Sequence, residues 1–230
     1  MNVLATKYKI FARIAPALLI CIPVLLLYIL FIKPYIQDFL PDISGFLTTE
    51  DITIGGAFLY LLIHVNRLVS KSLFQNESKF PTTELLLLNN KILPQQIKTK
   101  IRSKIQKLFE VDLFDQEEEA GNEEEARQVL GYAVAQIRDC TRDDAMIHRR
   151  NIEYGFTRNF LGGCIVAIVA SFIGVALVLV KIGFVYSPPL TTFILTLSIY
   201  LLPILFHKKI LSKMASYYQQ TLFEQFLAKK

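Results

Sequence analysis

The sequence predicts an all-α integral membrane protein: four transmembrane helices in two pairs, with a helical cytosolic insert between helices 2 and 3. Three observations carry this expectation. Residues 14–32, 52–65, 160–180 and 190–206 are apolar enough to sit in a bilayer, where a spanning helix needs ~20 mostly apolar residues. A long polar segment, residues 67–158, separates the second stretch from the third. The hydrophobic content of 53% and mean hydropathy of +0.40 exceed what a soluble domain carries. The expected divisions are an N-terminal hairpin over 1–69 (spans at about 14–32 and 52–69), an insert over 70–159, a C-terminal hairpin over 160–206 and a basic cytosolic tail over 207–230.

Span one follows Lys7, Lys9 and Arg13. Its apolar run is longer than a signal-peptide core, and Lys33-Pro34-Tyr35 replaces a cleavage site, so it reads as an uncleaved anchor. Pro16 and Pro23 lie inside it, and neighbouring helices can satisfy the carbonyls that they free. The loop over 33–51 carries Asp38, Asp42, Glu50 and Asp51 against Lys33 and reads as external. Span two is short. It extends through Leu68 and Val69 if Arg67 snorkels to the interface; a re-entrant or interfacial helix is the alternative.

Span three is free of charge, and Gly163, Ala167, Ser171 and Gly174 recur along one face. Small residues at this spacing let helix backbones approach closely, and packing within the subunit is expected over a dimer motif. Span four returns with Pro203 as a kink site. The net charge of +5 has a source in basic residues beside the spans, including Lys208, Lys209, Lys213, Lys229 and Lys230, as the positive-inside bias predicts. Both termini and the insert therefore face the cytosol of a multi-pass protein, with membrane lipid as its first partner. Cys21, Cys140 and Cys164 provide neither a disulfide framework nor metal spacing.

In the insert, Pro81-Thr82-Thr83-Glu84 reads as a helix start with a threonine cap, Leu85 to Leu88 packing inward and Asn89-Asn90 ending the helix. A second helix opens at Pro94, with Ile97, Ile101, Ile105 and Leu108 on its apolar face. Lys98, Lys100, Arg102, Lys104 and Lys107 make it basic. Three readings of that face stay open: a solvated surface, contact with anionic headgroups, or binding of a phosphate-bearing ligand. Six glutamates around Gly121-Asn122 read as an acidic turn that can also pair with the basic helix. The next helix, from Ala126 to about Arg142, buries Leu130, Val134 and Ile137. The segment 151–159 then runs unbroken into span three. Its Asn151, Tyr154, Arg158 and Asn159 share one helical face, either as interfacial anchors or as the lining of a vestibule and linkage to a gate.

No catalytic constellation is present. His64, His148 and His207 stand far apart, and there is no phosphate loop, nucleophile elbow or HExxH. The expectation is a protein that is not an enzyme and needs no cofactor or metal.

The segments Pro81-Thr82-Thr83-Glu84-Leu85-Leu86, Glu117-Glu118-Glu119-Ala120, Thr141-Arg142-Asp143 and Asn151-Ile152-Glu153-Tyr154-Gly155-Phe156-Thr157-Arg158-Asn159 resemble an uncharacterised bacterial family of small membrane proteins. The chain departs from that pattern in having no Trp. The layout is also similar to Hailong-type anti-phage membrane effectors. The resemblance implies a homo-oligomer in the bacterial inner membrane, an ion channel built from the spans, and a nucleotidyltransferase partner supplying a nucleotide or oligonucleotide ligand, with no role for double-stranded DNA. By that analogy Lys98, Lys100, Arg102, Lys104 and Lys107 would sense the ligand, and Asn151, Tyr154, Arg158 and Asn159 would couple it to the gate. A non-conducting anchor that recruits a soluble partner is the competing expectation.

Overall fold

The computed structural model describes residues 3–34, 47–75, 79–183 and 185–229; of residues 3 and 47–54 it describes the backbone alone. Most of the expected outer loop, 35–46, lies outside the described residues. All regular structure among them is helical: α1 Val3–Lys9, α2 Ala15–Leu27, α3 Leu47–Phe74, α4 Pro81–Leu86, α5 Gln95–Phe109, α6 Gln116–Gly121, α7 Glu123–Cys140, α8 Ala145–Ile182, α9 Pro188–Leu205 and α10 His207–Ala228. Single π-helical turns, Ile10–Ile14 and Tyr28–Ile32, flank α2.

Among the described residues, three helical stretches are long and apolar enough to cross a membrane: Leu4–Ile32, Ala145–Ile182 and Pro188–Leu205. The first begins well before residue 14, because Val3–Lys9 is already helical. The expected second span lies within α3, a helix of 28 residues. Residues 52–54 of that expected span are described in backbone alone, and among the residues described in full it is not one of the three.

The chain divides into two compact units. One comprises Met1–Phe74 and Gly155–Ile210, and the other Gln75–Tyr154 and Leu211–Lys230. In the first unit, α8 packs through small residues. A Cβ at Gly163 would lie 2.0 Å from Ile20 Cδ1, and one at Gly174 would lie 2.4 Å from the Phe193 ring. Ser171 and Thr196 hydroxyls meet at 3.0 Å. The small-residue face expected on span three is therefore filled by other helices of the same chain.

In the second unit, Leu85, Leu86, Ile101, Ile105, Leu130, Val134 and Ile137 form a continuous core with Leu222, Phe223 and Phe226. The C-terminal segment, expected as a basic tail, is the helix α10, and its apolar stripe enters this core. Local details differ from the sequence expectation in two places. Pro81 takes the first helical position, so Phe80 and not a threonine precedes α4; proline there gives up only an N–H that would be orphaned anyway. The helix stops at Leu86, before Asn89, because Leu87 turns to extended backbone. Farther on, Asp115 and Glu118 form a reciprocal capping box that starts α6, and Asp144 accepts from the amides of Met146 and Ile147 at the start of α8.

Candidate functional site

The five basic residues of α5 divide by environment. Lys98 is fully buried. It donates to the carbonyls of Leu87 and Asn90, each at 2.6 Å. Arg102 donates to Leu86 O at 3.1 Å, pairs with Glu119 Oε1 at 2.6 Å and reaches Phe114 O. Glu119 Oε2 also accepts from the Leu88 amide at 2.7 Å. These three side chains grip the turn that ends α4: Leu86 O is one of the carbonyls that a helix C-terminus leaves without an intrahelical partner, and Leu87 O, Leu88 N and Asn90 O follow it in the turn. Burial holds the Lys98 ammonium below the usual lysine range; the Glu119 carboxylate opposes this and the Arg102 charge adds to it. Lys104 donates to Phe226 O at 2.8 Å, also reaches Lys229 O, and lies over the Phe226 ring. A cation at the C-terminal end of α10 is favoured by the helix dipole. Lys100 and Lys107 are exposed and, seven residues apart, share a face about 10 Å long. The expected set thus contains three residues bonded inside the protein and two facing solvent.

The second predicted set lies along α8. Asn151 and Tyr154 are partly buried in one unit, Arg158 is partly buried in the other, and Asn159 is 4% exposed there. Asn159 occupies the centre of a polar node among apolar helices. Its Nδ2 donates to Ala12 O at 2.6 Å, and its Oδ1 accepts from Ser70 Oγ at 3.0 Å. Arg67 O lies 2.9 Å from the same Oγ, so the two acceptors share its one proton. One turn before Ser70, Asn66 is 2% exposed, and neither of its side-chain amide atoms has a hydrogen-bond partner among the described residues. Gly162 makes the node compact: a Cβ there would lie 2.6 Å from Asn66 O and 2.7 Å from Ser70 N.

The node follows from proline chemistry. Pro16 has no N–H to return to the carbonyl four residues earlier, which is Ala12. Pro23 likewise frees the carbonyl of Leu19, and Tyr200 Oη donates to it at 2.6 Å. In a bilayer such a carbonyl has no water to turn to, so side chains of α8 and α9 meet both. Ser70 and Tyr200 were not singled out from the sequence. The available signal was the proline position, which names the orphaned carbonyl but not the donor.

Among the described residues, no three His, Cys, Asp or Glu side chains gather as a metal ion requires. The arrangement therefore defines a helical protein with apolar helices of membrane-crossing length and a buried polar node. Compared with protein-family models, curated proteins and solved structures, the chain matches none.

Proposed function

We propose that the chain is an oligomeric, channel-like effector of the bacterial inner membrane, gated through its polar helical unit, with α3 as the fourth span and both termini cytosolic. The observation that carries this reading is α8. It is one uninterrupted helix, Ala145–Ile182, whose residues through Tyr154 belong to the polar unit, while Asn159 farther along sits in the buried node. Buried polar groups at membrane depth mark functional positions by default. Four helices are too few to enclose a wide pore, so closed symmetry among copies is required.

The ligand of the polar unit, on this reading, is a nucleotide or oligonucleotide supplied by a nucleotidyltransferase in anti-phage defence. The resemblance of its motifs supports this, and Lys100 and Lys107 are the basic groups of α5 available to phosphates. A second reading is a non-conducting anchor, favoured by the polar unit having a hydrophobic core of its own.

Reconstitution separates the two. The purified chain should form a homo-oligomer in detergent and pass ions across planar bilayers in a way that changes with added oligonucleotide. A monomeric particle without conductance overturns the channel. Retention of cellular function after exchange of the spans for unrelated ones would establish the anchor in its place.

A further inference from the structure

The turn between α4 and α5 is held at its base and bare at its tip. Residues 87–94 form no helix. Lys98, fully buried, donates to Leu87 O and Asn90 O, each at 2.6 Å, and Glu119 accepts from the Leu88 amide at 2.7 Å. The Asn90 side chain accepts from the Ile92 amide at 2.9 Å, and Leu93 packs against the core of the polar unit. Ile92 between them is turned outward. It is 77% exposed, more than any other large hydrophobic residue of that unit among the described residues. Its neighbour Lys91 is exposed, and so is Ile97 in the first turn of α5. From Leu85 to Phe109 the sequence has no Asp or Glu.

A single exposed isoleucine is ordinary on a protein surface. This one differs in three respects. Its backbone is clamped by buried side chains on both sides, so the tip cannot fold back onto the core. Its surroundings carry a cation and no acid. The unit that bears it passes into the apolar unit within two unbroken helices, between Tyr154 and Gly155 of α8 and between Ile210 and Leu211 of α10. No flexible linker therefore separates it from the membrane-length helices. An apolar tip beside a lysine is what an interfacial anchor presents: the apolar group enters the boundary between headgroups and acyl chains, and the cation meets lipid phosphate. A tip that is already fixed loses little conformational freedom on docking.

We propose that Ile92, with Ile97 beside it, inserts into the surface of the bilayer that carries this chain, and that Lys91 contacts the phosphate of an anionic lipid there. The turn is then a second point of attachment, which holds the polar unit against the membrane. This assignment goes beyond the channel reading: it requires that the chain lie in a membrane, not that it conduct. It also gives the buried Lys98 and Glu119 a purpose, since they stiffen the turn that presents Ile92.

The test uses the fluorescence of the full chain in lipid vesicles. The sequence has no Trp, so Ile92→Trp and Tyr132→Trp each report one position alone. Tyr132 is 59% exposed on α7 of the same unit and controls for the preference of Trp itself for interfaces. The vesicles are phosphatidylcholine with phosphatidylglycerol, and the quenchers are brominated acyl chains or iodide on both sides of the bilayer. Insertion to a depth of about 5–10 Å should make bromine quenching at 92 at least about twofold greater than at 132, and iodide quenching weaker. Adding Lys91→Glu should reduce the bromine quenching at 92 when phosphatidylglycerol is present, and much less in phosphatidylcholine alone. Iodide quenching at 92 equal to that at 132, without bromine quenching, overturns the insertion. Shielding of 92 from both quenchers means that protein covers the turn, and overturns it equally. Equal bromine quenching at 92 and 132 means that the unit lies broadly against lipid, and overturns the special role of the turn. No effect of Lys91→Glu overturns the phosphate contact. None of these outcomes bears on conductance, so the channel reading stands or falls apart from them.

Discussion

Asn159 donates to the carbonyl of Ala12 at 2.6 Å, across 147 residues of sequence, and Pro16 is the reason that carbonyl is free. A buried acceptor stripped of its partner costs about 1–3 kcal/mol. Asn159→Leu should therefore destabilise the apolar unit by roughly that amount. The cost should fall in a Pro16→Ala background, where residue 16 regains an N–H that can return to Ala12. A double-mutant cycle in detergent, read by loss of helical circular dichroism, measures this coupling. Additive effects would show that Asn159 serves some other contact.

Glycines at two positions should respond in opposite directions to the same substitution. Gly162→Ala puts a methyl 2.6 Å from the Asn66 carbonyl oxygen and from Ser70 Cβ. Backbone cannot yield there as a side-chain tip can, so α3 must move away and the Ser70–Asn159 bond must lengthen or break. Gly131 lies inside α7 with nothing among the described residues within 4 Å of an added Cβ, and alanine at such a site is favoured by about 0.5–1 kcal/mol. Thermal unfolding of the two variants should move down for Gly162→Ala and up for Gly131→Ala.

Much of the helical layout is legible in the sequence because hydrophobic period alone sets it. Ile101, Ile105, Leu130, Val134 and Ile137 were readable as core positions and are all buried. Charge was less informative than period. Lys98 and Arg102 look like surface cations, yet the turn after Leu86 presents carbonyls that only long donors from α5 reach. That turn is tertiary, and no local pattern announces it. For the same reason the basic character of Lys208, Lys209 and Lys213 hid the apolar stripe of Leu222, Phe223 and Phe226. The prolines of span one announced freed carbonyls but could not name Asn159 or Tyr200, whose partners lie far along the chain.

The Arg102–Glu119 pair should be the least replaceable ion pair of the polar unit. Its side chains are only 10% and 6% exposed, and removing one member of such a pair leaves the other charge buried, at a cost of about 3–5 kcal/mol. Glu119→Ala should unfold this unit at markedly lower urea than wild type. The pair Arg149–Glu153, by contrast, has its arginine 80% exposed, and such pairs contribute little. Arg149→Ala should leave the urea midpoint nearly unchanged. Equal effects of the two substitutions would show that Arg102 finds other compensation.

Lys98 gives the polar unit a pH dependence of defined sign. Its ammonium is held below the usual lysine value in the folded chain, first by burial. Between the folded value and the unfolded value of about 10.4, the unfolded chain carries the proton and the folded chain does not. Stability rises with pH wherever the unfolded state binds more protons. This group's contribution therefore increases as pH climbs through that interval and is flat below it, where both states are charged. Lys98→Met should remove this rising component while losing the bonds to Leu87 O and Asn90 O at neutral pH. Urea unfolding of the full chain in detergent, followed by circular dichroism at a series of alkaline pH values, compares the two proteins. The difference in midpoint between wild type and Lys98→Met should grow in favour of wild type as pH rises. A difference that shrinks would mean the ammonium is stabilised where it lies, with its carbonyl contacts and Glu119 outweighing burial.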